Sequence, residues 1–152
     1  MKNLLFTLAA LGAVAAQAKD KEYKVEIPLE KGEAWWGGLS VDGHKMPYVE
    51  ETNYTRDLLG NNYGNQAQPL LISNAGRYVW CEEPMKYEYK AGKLVVSSHF
   101  SEIKWGDAGD TLKDAYEYSS KNFFPTDGKL PDELLFTEPQ YNTWIELMYD
   151  QN

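Results

Sequence analysis

The chain has 152 residues and a formal net charge of -8 at pH 7, and 14% of it is aromatic, including 11 Tyr and 5 Trp. That length allows one domain and at most a piece of another, and the acidic balance argues against nucleic acid or an anionic membrane as partner. Cys81 is the only cysteine, which excludes an intramolecular disulfide and leaves apolar packing to hold the core.

Residues 1–18 read as a signal peptide. Lys2 supplies the positive start, "LLFTLAALGAVAA" the apolar run, and Ala16-Gln17-Ala18 a small-residue cleavage site. The expectation is an exported protein, periplasmic or secreted. No later stretch is apolar enough to span a bilayer, so no membrane contact is expected.

"KEYKVEIPLE" follows, with Tyr23, Val25, Ile27 and Leu29 alternating against charged residues as in a strand with one wet face. In "AWWGGLSVDGHKMPYVEE" two Trp and two Gly predict a short strand with a close backbone approach, and Asp42-Gly43 predicts a hairpin turn. From Glu50 to Gln66 the chain is polar and rich in Gly and Asn, which reads as a long surface loop. "QPLLIS", "GRYVWCEE", "MKYEYKAG", "KLVVSSHF" and "SEIKWGD" are short strands separated by turn signals at Asn74-Ala75-Gly76, Glu83-Pro84 and Ala91-Gly92. Such spacing marks an antiparallel sandwich or barrel. Cys81 lies within this region and reads as a small buried residue, since no neighbour would lower its pKa.

The period then changes. Thr111, with Asp114 three residues on, predicts a helix start, and Leu112, Ala115, Tyr116 and Ser119 share a helical face that ends before Pro125. A helical turn is expected at Pro131 to Leu135. The last residues, "PQYNTWIELMYDQN", read as a strand followed by an Asp helix cap, the opening unit of an α/β fold.

The chemistry-bearing residues are sparse. His44 and His99 lie far apart, and no Cys/His cluster has metal-ligand spacing; no metal or other cofactor is expected. Ser97, Ser98 and His99 alternate faces on one strand, so they do not form a nucleophile–base pair. Glu50-Glu51 and Glu82-Glu83 read as solvated charge rather than a convergent acid pair. Asn53-Tyr54-Thr55 is a short match to a glycosylation sequon of the kind that arises by chance. Trp35 and Trp36 stand out. Strand alternation puts one ring in the core and the other outside, where it either shapes a sugar site or serves as an interface aromatic.

Together "WWGGLSVDG", "NQAQPLLISNAGRYVWCEEP" and the segment from Thr111 to Asn152 resemble glycoside hydrolase family 31, in its bacterial branch similar to the myogenesis-regulating glycosidase and related α-galactosidases. The resemblance implies a mainly β fold: a galactose-mutarotase-like antiparallel β-sandwich over 19–106, a helix and linker over 107–138, and the first strand of a truncated (β/α)₈ barrel over 139–152. It also implies a retaining α-glycosidase acting on an α-linked sugar, with both catalytic Asp residues on later barrel strands. Those strands are not in this chain, so no catalytic residue is assigned. Substrate contact is expected from the region of Trp35, Trp36, Asp42 and His44. A surface meant for the barrel would favour self-association. The rival expectations are a free-standing carbohydrate-binding module and an interaction protein.

Overall fold

The computed structural model describes residues 21–140. The predicted signal peptide and the predicted strand from Tyr141 onward lie outside these residues. The chain divides into two compact units, with the break between Ala115 and Tyr116.

The first unit is mainly β. Its strands are β1 (Tyr23–Pro28), β2 (Trp35–Leu39), β3 (Tyr54–Asp57), β4 (Ala67–Ser73), β5 (Arg77–Cys81), β6 (Lys86–Lys90), β7 (Lys93–Ser98) and β8 (Ile103–Asp107). They form two four-stranded sheets, ordered β1-β7-β6-β3 and β2-β4-β5-β8. Every pairing among the described residues is antiparallel. The inward residues of both sheets share one apolar cluster, among them Ile27, Trp35, Leu71, Val79, Tyr87, Leu94 and Val96, all with no exposed surface. The architecture is thus sandwich-like. Cys81 belongs to this core.

The predicted turn at Ala91-Gly92 forms as a tight hairpin. Lys90 pairs with Lys93, and the two residues between them, Ala91 and Gly92, have φ of 50° and 71°. Positive φ at both positions gives the turn whose twist matches a hairpin. The predicted hairpin at Asp42-Gly43 does not form. Ser40–Lys45 instead winds into a 3₁₀ helix, and β2 takes β4 as its partner. The predicted long loop of 50–66 also contains β3, an edge strand too short and too polar to show an apolar period.

The two sheets differ on their outer faces. On the first, Lys24, Ser97, Lys86 and Asp57 align across the register in a polar row. On the second, Trp36, Ile72 and Tyr78 align, each half-buried. Alternation therefore reads as one wet face in the first sheet and an apolar outer row in the second.

The first unit extends past β8. Ala108 N–H donates to the Gly76 carbonyl at 2.8 Å, which ties the segment after the sheet to the β4–β5 turn. Thr111 and Asp114 then form the predicted reciprocal cap. Asp114 N–H donates to Thr111 Oγ1 at 3.2 Å, and Thr111 N–H donates to the Asp114 carboxylate at 2.9 Å. Helix α1 follows (Leu112–Phe123). Of its predicted face, Ala115 and Ser119 are buried, whereas Leu112 and Tyr116 are exposed. In the second unit a short helix, α2, covers Leu134–Thr137, slightly later than expected. No helix among the described residues is long and apolar enough to cross a membrane.

Candidate functional site

The "WWGGLSVDGH" stretch runs through β2 and the 3₁₀ turn. Trp35 and Trp36 point to opposite faces of β2, as period two requires. Trp35 is fully buried and exchanges backbone hydrogen bonds with Tyr48 at 2.8 and 2.9 Å. The Arg77 guanidinium lies 5.6 Å from the centre of its ring. Arg77 is itself held by Glu33, through Nε to Oε1 at 2.9 Å and a shorter contact from Nη2 to Oε2, and it donates to the Pro28 carbonyl at 2.9 Å. Trp36 faces outward in the row with Ile72 and Tyr78.

The next two residues break the strand. Gly37 pairs opposite Leu71, but Gly38 pairs opposite Gln68, so Pro69 and Leu70 form a bulge in β4. Both glycines have positive φ, 127° and 89°. A Cβ at Gly37 would overlap the Leu70 carbonyl oxygen, and one at Gly38 would overlap the Tyr87 hydroxyl. Only glycine fits at either position.

Beyond the bulge a groove of about 440 Å³ opens between β2, the 3₁₀ turn and the start of β4. Its polar walls are Ser40, Gln66 and Gln68, its apolar ones include Leu39 and Met46, and Gly37 and Gly38 lie beside them. No lining side chain is charged. Ser40 N–H and Oγ both donate to the Gln66 carbonyl, at 3.0 and 3.1 Å, which fixes the two walls against each other. The arrangement offers amide and hydroxyl groups over a backbone surface. It suits an uncharged polar ligand.

Asp42, predicted to lie in the same turn, is not open to a ligand. It is buried, and Arg56 grips it in bidentate fashion, Nε to Oδ2 and Nη2 to Oδ1, both at 2.7 Å. The Tyr54 hydroxyl donates to Oδ2 at 2.7 Å, and Lys45 Nζ donates to Oδ1 at 3.3 Å. Burial pushes the carboxyl pKa up, but the hydrogen bonds from Arg56, Tyr54 and Lys45 outweigh it and hold the group at about 2. His44 is exposed, with Nδ1 3.1 Å from the Val41 carbonyl.

An aromatic column connects this cluster to the core. Tyr54 stacks on Tyr48 at 5.4 Å, and Tyr48 stacks on Tyr89 at 4.6 Å. Tyr87 meets Tyr89 edge to face at 6.1 Å. The hydroxyls of Tyr48, Tyr87 and Tyr89 have no hydrogen-bond partner of good geometry among the described residues, although those of Tyr48 and Tyr87 influence each other's ionisation. Burial is the main cause that pushes Tyr48 up to about 12.

The structure thus brings the glycine bulge and the 3₁₀ turn together around the groove, but none of Trp35, Trp36, Asp42 and His44 lines it. Trp35 and Asp42 are buried beneath this region, and Trp36 and His44 lie outside the lining. The sequence pattern does not single out Tyr54, Arg56, Gln66 or Gln68. For Tyr54 and Arg56 the one signal is their alternation, both half-buried, with the exposed Thr55 and Asp57, inside a stretch that reads as loop; Gln66 and Gln68 carry none. The four residues Glu50, Glu51, Glu82 and Glu83 are exposed, as expected.

No family model and no curated protein matches this chain.

Proposed function

We propose that the chain is the sandwich domain of an exported retaining α-glycosidase that resembles glycoside hydrolase family 31. In this reading its fold is galactose-mutarotase-like. It packs on a (β/α)₈ catalytic body that carries the two catalytic Asp residues, and it helps to shape the site for an α-linked sugar. The observation that supports this most directly is the groove at the Gly37–Gly38 bulge. Its volume of about 440 Å³ is within the usual range for small-ligand sites. Its uncharged hydroxyl and amide walls match a neutral, polyhydroxylated molecule. Asp42 holds the turn beside the groove through Arg56, and in this reading Trp36 and His44, which lie outside the groove lining, would meet sugar only beyond it.

The test has two parts. The purified chain, given p-nitrophenyl α-glucoside and α-galactoside, is expected to show no turnover above the blank. It is also expected to bind methyl α-galactoside or methyl α-glucoside weakly, with a loss on Gln68→Ala. Robust cleavage by this chain alone would overturn the reading.

A second reading, a free-standing carbohydrate-binding module, draws support from the shared core of the two sheets, which is complete enough to bury Trp35, Tyr48, Tyr87 and Tyr89 almost fully. Limited proteolysis separates the two. Rapid trimming back to about Pro131 favours the domain that works with a catalytic body, and a protected C-terminus favours the module.

A further inference from the structure

The polar outer row of the first sheet ends in a cup of about 300 Å³. Its floor is Lys86, Ser97 and Asp57, which are neighbours in the register of β3, β6 and β7. Two apolar side chains, Leu59 and Phe100, contribute to its lining and remain 62% and 55% exposed. Glu22 and His99 are also part of the wall.

Both apolar residues are held by the loops that carry them. Ser98 Oγ donates to the Pro84 carbonyl at 2.9 Å and accepts from Phe100 N–H at 3.2 Å. Leu59 N–H donates to Asp57 Oδ1 at 2.9 Å, and Leu58 N–H donates to the Met85 carbonyl at 3.0 Å. These bonds anchor the backbone that carries both side chains, which lowers the ordering cost of a contact there. Directly opposed Asp57 and Lys86 are of opposite charge, yet no ion pair among the described residues joins them. The cup therefore offers an ammonium donor and a carboxylate acceptor side by side, under two apolar walls.

We propose that this cup binds one pyranose ring of a neutral saccharide. The ring's C–H face packs on Phe100 and Leu59. Two adjacent hydroxyls bridge Lys86 and Asp57, one accepting from the ammonium and one donating to the carboxylate, and Ser97 takes a third. The site is separate from the groove at the glycine bulge and does not depend on the reading given to that groove.

The full chain is titrated with methyl α-galactoside and methyl α-glucoside while backbone amide shifts are followed by NMR. Millimolar binding that shifts Ser97 and Phe100 is expected. Phe100→Ala is expected to weaken it about tenfold, the loss when an apolar ring contact is removed. If Phe100→Ala fails to fold, Lys86→Met carries the test with the same expected direction. Shifts confined to the groove, no shift at all, or a Phe100 variant that folds and binds as well as the parent would each overturn the proposal. So would free leucine moving these amides where neither glycoside does, since that outcome assigns the Lys86–Asp57 pair to a zwitterion.

Discussion

Asp42 and Arg56 form a bidentate pair that joins the 3₁₀ turn to the edge strand β3, with both contacts at 2.7 Å. The carboxylate side chain is 2% exposed and the guanidinium 16%. An ion pair this far from water is worth little compared with a well-packed apolar substitute, but breaking it leaves a charge without compensation.

Asp42→Ala is therefore expected to cost about 3 kcal/mol of stability, at the lower end for a broken buried pair because Arg56 keeps some contact with water. Urea unfolding followed by Trp fluorescence measures this. A change too small to resolve would mean that the pair contributes nothing to the fold.

The same pair sets a pH dependence. The Asp42 carboxyl is held at about 2 against an ordinary value of 3.8, so between those values the unfolded chain binds more protons than the folded one. The contribution is complete above the ordinary value and is lost as pH falls through the folded value, by about 2 kcal/mol in all. Asp42→Asn is expected to flatten this acid limb. Urea midpoints collected from mild to strong acid check it, with the residual slope coming from Glu33 and Asp114, whose pKa values are lowered in the same direction.

Gly38 and Gly43 lie five positions apart in one stretch of chain and should respond oppositely. At Gly38 an added Cβ meets the Tyr87 hydroxyl at a φ of 89°, whereas at Gly43 it meets nothing within 4 Å. Gly38→Ala is expected to lower stability by 2 kcal/mol or more, combining about 1 kcal/mol of backbone strain with overpacking of roughly 1–3 kcal/mol. Gly43→Ala is expected to change it by less than about 0.5 kcal/mol. Thermal melts of the two variants decide the point, and equal losses would contradict it.

At Ala91 the chain accepts a positive φ of 50° without the residue that suits it. Ala91→Asn is expected to stabilise the β6–β7 hairpin by several tenths of a kcal/mol, because Asn enters the left-handed region more easily. A higher melting temperature is the expected readout. A lower one would indicate that the Ala91 methyl makes a contact worth more than the turn geometry.

Much of the first unit was legible because its strands alternate cleanly. Tyr23, Val25 and Ile27 lead down one side of β1, Leu94 and Val96 down one side of β7, and the Ala91-Gly92 signal sits at the turn between β6 and β7. Thr111 and Asp114 announce a helix start through local hydrogen bonds, which depend on residues three apart. The division of Trp35 and Trp36 between core and surface also follows from period two.

What could be read along the chain was thus local: strand faces, the Ala91-Gly92 turn, the helix cap and the burial of Cys81, but not the 3₁₀ turn at Ser40–Lys45. The tertiary structure alone decided the rest. It converted Asp42 from a turn residue into the buried partner of Arg56, recruited the polar Tyr54–Asp57 into the first sheet, and set Lys86 opposite Asp57 across two strands. It also joined Glu33 to Arg77, 44 positions away. Local patterns arise from steric and hydrogen-bonding preferences over a few residues and can be read along the chain. Ion pairs, grooves and cups depend on which strands become neighbours, a choice made by burying the apolar faces of all of them at once.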